Sequence, residues 1–171
     1  MVAVMVLIGA PGSGKSSVLE ALMTLLELDG CAYGALETEQ LSLGSPLLSA
    51  ACAAEQLRAV LALQRRAGRR LFVLVATTED AGQLRAVISA ARADASLVVC
   101  LTAGADTLAR RLEQREPDRW PGKSGLIAHA RALARTVPLI DGIDVTLDTE
   151  RRSAAETALA VHEQMSARSL V

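Results

Sequence analysis

Eight consecutive residues, Gly9-Ala10-Pro11-Gly12-Ser13-Gly14-Lys15-Ser16, set glycines and small residues beside one amine and one hydroxyl, a combination suited to holding a polyphosphate. The spacing is G-x-x-x-x-G-K-S/T, in which glycines let the backbone come close to an anion and free N–H groups at a following helix start point towards it. Lys15 is then placed to reach the β- and γ-phosphates, the Ser16 hydroxyl to hold Mg²⁺, and Ser17 to continue the amide cradle. Two other groups carry matching chemistry. Glu37 and Glu39 are acids two residues apart, so on an extended segment they point the same way. Arg111 and Arg115 are four apart on one predicted helix face, with Arg119 just beyond it.

Phosphoryl transfer needs a phosphate cradle, a group that orients or deprotonates the acceptor, support for Mg²⁺, and cations for the transferring group. Glu39 is the first choice of base, with Glu37 beside it, although a pair of solvated loop acids explains the same residues. Arg111, Arg115 and Arg119 either close over the phosphates as a lid at about 110–125 or belong to an exposed helix paired with Glu113 and Glu116. Trp120 lies in the same stretch, as a clamp or as a cover for the base of the lid. Glu79 and Asp80 are read equally as metal support or as a helix start. In Thr149-Glu150-Arg151-Arg152, Arg151 is a candidate to stack on a base, in a segment that a helix start also explains.

The elements that must position these groups alternate along the chain. Val4 to Ile8 reads as a buried strand, residues 16–28 as a helix apolar almost all round, and Cys31 to Leu36 as a second strand. Pro46 suits the first position of a helix over about Leu47 to Ala67. Leu71 to Ala76 has the continuous apolar pattern of a central parallel strand, and a helix follows through Ala91. Ser96 to Leu101 is the fourth strand, Asp106 to Glu116 a helix stopped by Pro117, and Leu126 onward a helix stopped at Pro138. Ile143 to Asp148 alternates like an edge strand, and Ser153 with Glu156 forms a capping box for the last helix. Five strands alternating with helices specify one α/β domain over 1–171, three layers thick, with a parallel sheet and helices on both faces.

Composition narrows the classes further. Hydrophobic residues make up 51% and aromatics 2%, so the core is built from Ala, Val, Leu and Ile. A formal net charge of −1, from 18 basic and 19 acidic residues, lacks the surplus of a dedicated nucleic-acid binder. The N-terminal apolar run is too short to span a membrane and no basic region precedes it. Cys31, Cys52 and Cys100 show no C-x-x-C spacing, which argues against a disulfide framework or a zinc site and for a reducing, cytoplasmic setting. Oligomeric state leaves no signal in the sequence.

The loop Gly9 to Ser16, the acids after the second strand, the strand Leu97 to Leu101 followed by Leu108-Ala109-Arg110-Arg111-Leu112-Glu113-Gln114-Arg115, and Leu147-Asp148-Thr149 before a helix resemble the P-loop small-molecule kinases. These include the adenylylsulfate, gluconate and shikimate kinases and chloramphenicol phosphotransferase. The resemblance implies a P-loop NTPase fold with strand order 2-3-1-4-5. It places Glu39 where these kinases commonly carry an acceptor-contacting Asp, while no Asp closes the third strand. It implies an ATP- and Mg²⁺-dependent phosphotransferase acting on a hydroxyl of a small molecule, with antibiotics and metabolites among the open acceptor classes. A nucleoside or nucleotide kinase, and a nucleotide-binding regulatory module without efficient transfer, are the alternatives.

Overall fold

The apolar run ahead of the glycine-rich loop becomes the centre of the molecule. In the computed structural model, which describes residues 1–171, strand β1 (Ala3–Gly9) is buried at all 7 positions. Val4, Val6 and Ile8 pack into one apolar layer and Met5 and Leu7 into the other, so each face of the strand is covered. That two-sided burial is what a continuous apolar run is suited to.

Helix α1 (Lys15–Leu28) follows the loop and leads to β2 (Tyr33–Glu37). A single turn, α2 (Thr38–Leu41), precedes α3 (Ala50–Arg66), β3 (Leu71–Val75) and α4 (Ala81–Ala91). The second half runs through β4 (Ala95–Thr102), α5 (Ala105–Arg115), α6 (Lys123–Thr136), a 3-10 turn at Val137–Leu139, β5 (Val145–Asp148) and α7 (Ala154–Ala167). All strand pairings are parallel, in the order β2-β3-β1-β4-β5, which is the order the kinase resemblance implies. Helices α1 and α7 cover one face, and α3, α4, α5 and α6 the other. The pairings of Leu7 with Val75 and of Gly9 with Leu101 bring the C-terminal ends of β1, β3 and β4 to one edge of the sheet. In an open α/β sheet that edge is where ligands bind.

Several boundaries differ from the sequence expectation, each for a local reason. Strand β2 starts at Tyr33 rather than Cys31, because its pairing with β3 begins at Leu71. Helix α3 starts at Ala50, where the Ser49 hydroxyl accepts from the Cys52 N–H at 3.2 Å, so Pro46 lies outside it. Helix α1 is not apolar all round: Val18, Leu19, Leu22 and Leu26 are buried, whereas Glu20, Thr24, Glu27 and Leu28 face solvent. Helix α6 begins at Lys123, which shortens the polar turn after α5 to residues 116–122. The capping box of Ser153 and Glu156 and the edge position of β5 are as expected.

Gly9 ends β1 at a close approach. A Cβ there would lie 2.5 Å from the Leu101 carbonyl oxygen and 2.6 Å from Ser13 Oγ, at a φ of 153°. Backbone on the far side of a central pairing has little room to give, so Gly9→Ala is expected to lose about 2–3 kcal/mol of stability in urea unfolding. Gly125 in α6 has nothing within 4 Å of its would-be Cβ. Gly125→Ala is expected to gain up to about 1 kcal/mol in the same assay. Equal effects at the two sites would refute the packing argument.

Candidate functional site

Four carbonyls along the loop between β1 and α1 are each held by a side-chain donor. Lys15 Nζ donates to the carbonyls of Gly9 at 2.7 Å and Ala10 at 3.2 Å. Arg111, on α5, donates through Nη1 to the Gly12 carbonyl at 3.2 Å. Thr149 Oγ1 lies within hydrogen-bond distance of the carbonyls of Ser13, at 3.0 Å, and Thr102, at 3.1 Å, and donates its one hydrogen to this pair. Arg111 also grips Thr149 itself, through Nη1 to the hydroxyl at 3.1 Å and Nη2 to the carbonyl at 2.7 Å. Gly14, at φ 93°, precedes α1 without any side-chain cap, so the first N–H groups of that helix are left for a ligand.

Two cavities meet at this loop, and a third adjoins one of them. The middle one, about 370 Å³, is lined by Pro11, Gly12, Gly14, Lys15, Ser16 and Ser17 together with Glu37, Glu39, Thr77 and Arg115. A second, about 210 Å³, shares Gly14 and Ser17 with it and adds Arg111, Thr149 and Arg152. The third, about 280 Å³, shares Glu39 and Thr77 with the middle one and runs between α3 and α4. A ligand can therefore extend from the Arg152 side, past the loop, to a partner beside Glu39.

The sequence-predicted residues distribute over these cavities unevenly. Glu37 closes β2 and Glu39 lies in the helical turn α2, so the two do not sit on one extended segment, yet both line the middle cavity with Lys15 and Ser16. Glu39 Oε1 accepts the Thr77 N–H at the end of β3, which fixes one oxygen of the carboxylate. The three arginines are separated: Arg111 is fastened behind the loop, Arg115 stands at the cavity mouth paired with Glu116 at 2.5 Å, and Arg119 is exposed in the 116–122 turn. Arg151 is exposed and Arg152, its neighbour, lines the second cavity. Glu79 pairs with His129 at 3.1 Å and Asp80 caps α4 by accepting from Gln83 N–H at 2.9 Å, which gives both a structural role outside the middle cavity.

Other contributors carried no motif. Thr149 matters through its hydroxyl and its place after β5, and Thr77 and Thr78 through the C-terminal edge of β3, which the strand-end rule singles out. Lys123 Nζ donates to the carbonyls of Glu113 at 2.8 Å and Glu116 at 2.9 Å and pairs with Asp118 at 2.8 Å, pinning the turn after α5 at its base. Trp120 lies over Gly122, whose would-be Cβ is 2.6 Å from the ring. Burial in the apolar sheet pushes the Cys100 thiol up to about 11, so it stays an uncharged part of the core.

The AAA domain family model matches residues 4–139, most of the chain. The chain belongs to the AAA domain family. This AAA domain has the fold of the P-loop small-molecule kinases. A solved structure of Mycobacterium tuberculosis APS kinase in complex with AMPPNP and APS is similar at 26% identity and TM-score 0.64, covering 96% of this chain and 98% of that one. A gluconokinase from Sinorhizobium meliloti is similar at 22% identity and TM-score 0.60, over 98% and 97% of the two chains. Shikimate kinase from Acinetobacter baumannii, in complex with shikimate, is similar at 16% identity and TM-score 0.55, over 100% and 97%. No curated protein matches the sequence.

In the AAA domain, burial is the main reason that the Lys15 ammonium is pulled down from 10.5 to about 8; Arg115 adds to the shift, while Glu39 and Glu37 oppose it. The unfolded chain thus binds more protons than the folded one between pH 8 and 10.5, and stability rises with pH across that window. Below it, the buried ammonium costs on the order of 3 kcal/mol. Without nucleotide, Lys15→Met is therefore expected to melt above the wild type near pH 8, with the difference shrinking towards pH 10.5. A difference that does not change with pH would overturn this account of the lysine.

Proposed function

We propose that the chain is an ATP- and Mg²⁺-dependent phosphotransferase that phosphorylates a hydroxyl of a small molecule. The observation that carries this reading is the row of three connected cavities, with the loop amides and Lys15 in the middle, arginines on one side and an oriented glutamate on the other. The polyphosphate lies against the loop Gly9 to Ser17, and Lys15 moves from its carbonyl partners to the β- and γ-oxygens. The nucleoside takes the cavity lined by Arg152, with Arg151 at its exposed edge.

The donors in the middle cavity suit a hard cation: the Ser16 hydroxyl and the carboxylates of Glu37 and Glu39 are all oxygen groups. No group of three His, Cys, Asp or Glu residues forms a protein cage, as suits Mg²⁺, which is commonly held by few side chains and by substrate phosphates. Ser16 would hold the ion, with Glu37 acting through its water shell. When bound, it would neutralise charge on the phosphate oxygens.

Glu39 accepts the proton of the acceptor hydroxyl while the acceptor oxygen forms a bond to Pγ. The bond from Pγ to the bridging oxygen breaks, and its electron pair leaves on ADP. Arg115 exchanges Glu116 for the transferring phosphoryl group, and within the 110–125 segment the turn 116–122, pinned at its base by Lys123, brings Arg119 and Trp120 over the cavity as a lid. Arg111 acts from behind, holding the loop in shape. A nucleoside acceptor is disfavoured because the cavity beyond Glu39 contains no aromatic ring for a base to stack on. The reading needs a nucleoside triphosphate and a small acceptor, and neither nucleic acid nor membrane. No helix is long and apolar enough to cross a membrane, and the three free cysteines suit a reducing, cytoplasmic setting.

Two measurements test the roles. Lys15→Ala is expected to abolish ATP binding in calorimetry, and retained affinity would refute the cradle. Glu39→Gln is expected to keep ATP affinity within about twofold and to lower transfer by about 10²–10⁴, the usual worth of a general base. An unchanged rate excludes it. The lid has its own signal: Trp120 fluorescence is expected to change when Mg-ATP is added to the wild type, and a silent signal would refute closure.

A further inference from the structure

The cavity beyond Glu39 differs in chemistry from the two that precede it. Leu41, Ala53, Ala54, Leu57, Ala86 and Val87 form its walls, and its floor is the segment Ala76 to Thr78 that follows β3. Its polar groups are hydroxyls and amides, and its one charged residue is Glu39. None of the 18 lysines and arginines lines it, although the middle cavity holds Lys15 and Arg115 and the second holds Arg111 and Arg152. A carboxylate, sulfate or phosphate placed there would lose its hydration without a cation to replace it, and would face the Glu39 carboxylate.

A further observation points to an uncharged ligand with an apolar body. The segment 43–49 joins two lining residues, Ser42 and Ala50, contains no charged residue, and leaves Leu43, Leu47 and Leu48 exposed. The volume of about 280 Å³ equals that of roughly nine waters at about 30 Å³ each, enough for a body the size of one or two rings.

We infer that the acceptor is an uncharged alcohol with a largely apolar body, bound between α3 and α4 with its hydroxyl at Glu39, and that anionic acceptors are excluded. The inference rests on the phosphotransfer reading for its chemical outcome, but the selectivity of the cavity can be measured by itself. Three probes share a ring and a hydroxyl and differ in charge: phenyl ethanediol, mandelate and phenylethanolamine. With the full chain and Mg-ADP, titration followed by ligand-observed NMR is expected to show the diol binding at least tenfold more tightly than either charged probe. Ala86→Leu, at an exposed helix position, fills the cavity and is expected to weaken the diol at least tenfold without lowering the melting temperature.

Equal or tighter binding of mandelate or the amine, binding of none of the three, or a diol affinity unmoved by Ala86→Leu would overturn the inference. Labelled ATP then separates the two levels. Selective diol binding without transfer of label overturns the phosphotransfer reading and leaves the cavity's selectivity standing, whereas transfer to mandelate alone does the reverse.

Discussion

The structure depends on the orientation of a few peptide groups. A loop that holds a polyphosphate must present N–H groups and turn its carbonyls away, and a free chain has no reason to prefer that arrangement. Here the carbonyls of Gly9, Ala10, Gly12 and Ser13 are each given a donor, from Lys15, Arg111 and Thr149. Arg111 belongs to α5 and Thr149 follows β5, so the loop's shape is imposed by elements on its far side. Pre-orientation of this kind removes reorganisation cost at the moment of binding, which is how fixed dipoles become effective in a site.

The distribution of charge follows from the same arrangement. The chain is close to neutral overall, yet Lys15, Arg111, Arg115 and Arg152 gather around one short segment. Lys15 is held without phosphate in surroundings that disfavour its charge, and an incoming polyanion relieves that cost. Under the proposed function, relief of the lost hydration of that one ammonium would contribute to nucleotide affinity. The neighbouring cavity, whose walls are alanine, leucine and valine, has no such store.

Most of the fold was legible in the sequence because apolar runs buried on both faces leave a continuous pattern, as in Val4 to Ile8 and Leu71 to Val75. The glycine-rich loop was legible because its spacing is a direct record of backbone geometry. What escaped was tertiary. Nothing in the spacing of Arg111, Arg115 and Arg119 says that the first is fastened to loop carbonyls while the third is exposed, since helical periodicity gives a face and not a partner. The pair Glu37 and Glu39 reached one cavity by a different route from the extended one, because a helical turn intervenes after β2. The alanines of α3 and α4 left no trace at all: small apolar residues on a helix read as core, and only packing reveals that they border a space.

The tie between Thr149 and the loop has a consequence for how the molecule comes into being. The hydroxyl and its acceptor are separated by 136 positions, and the Arg111 contact to Gly12 by 99. Contacts so distant along the chain close late, because a long loop must lose its freedom before they form. During synthesis the glycine-rich segment emerges first, but it gains its working shape only when the last strand and the turn after it arrive. The nascent chain therefore carries a complete motif and an unfinished loop for most of its elongation, and under the proposed function nucleotide recognition would report that the far end of the chain has folded.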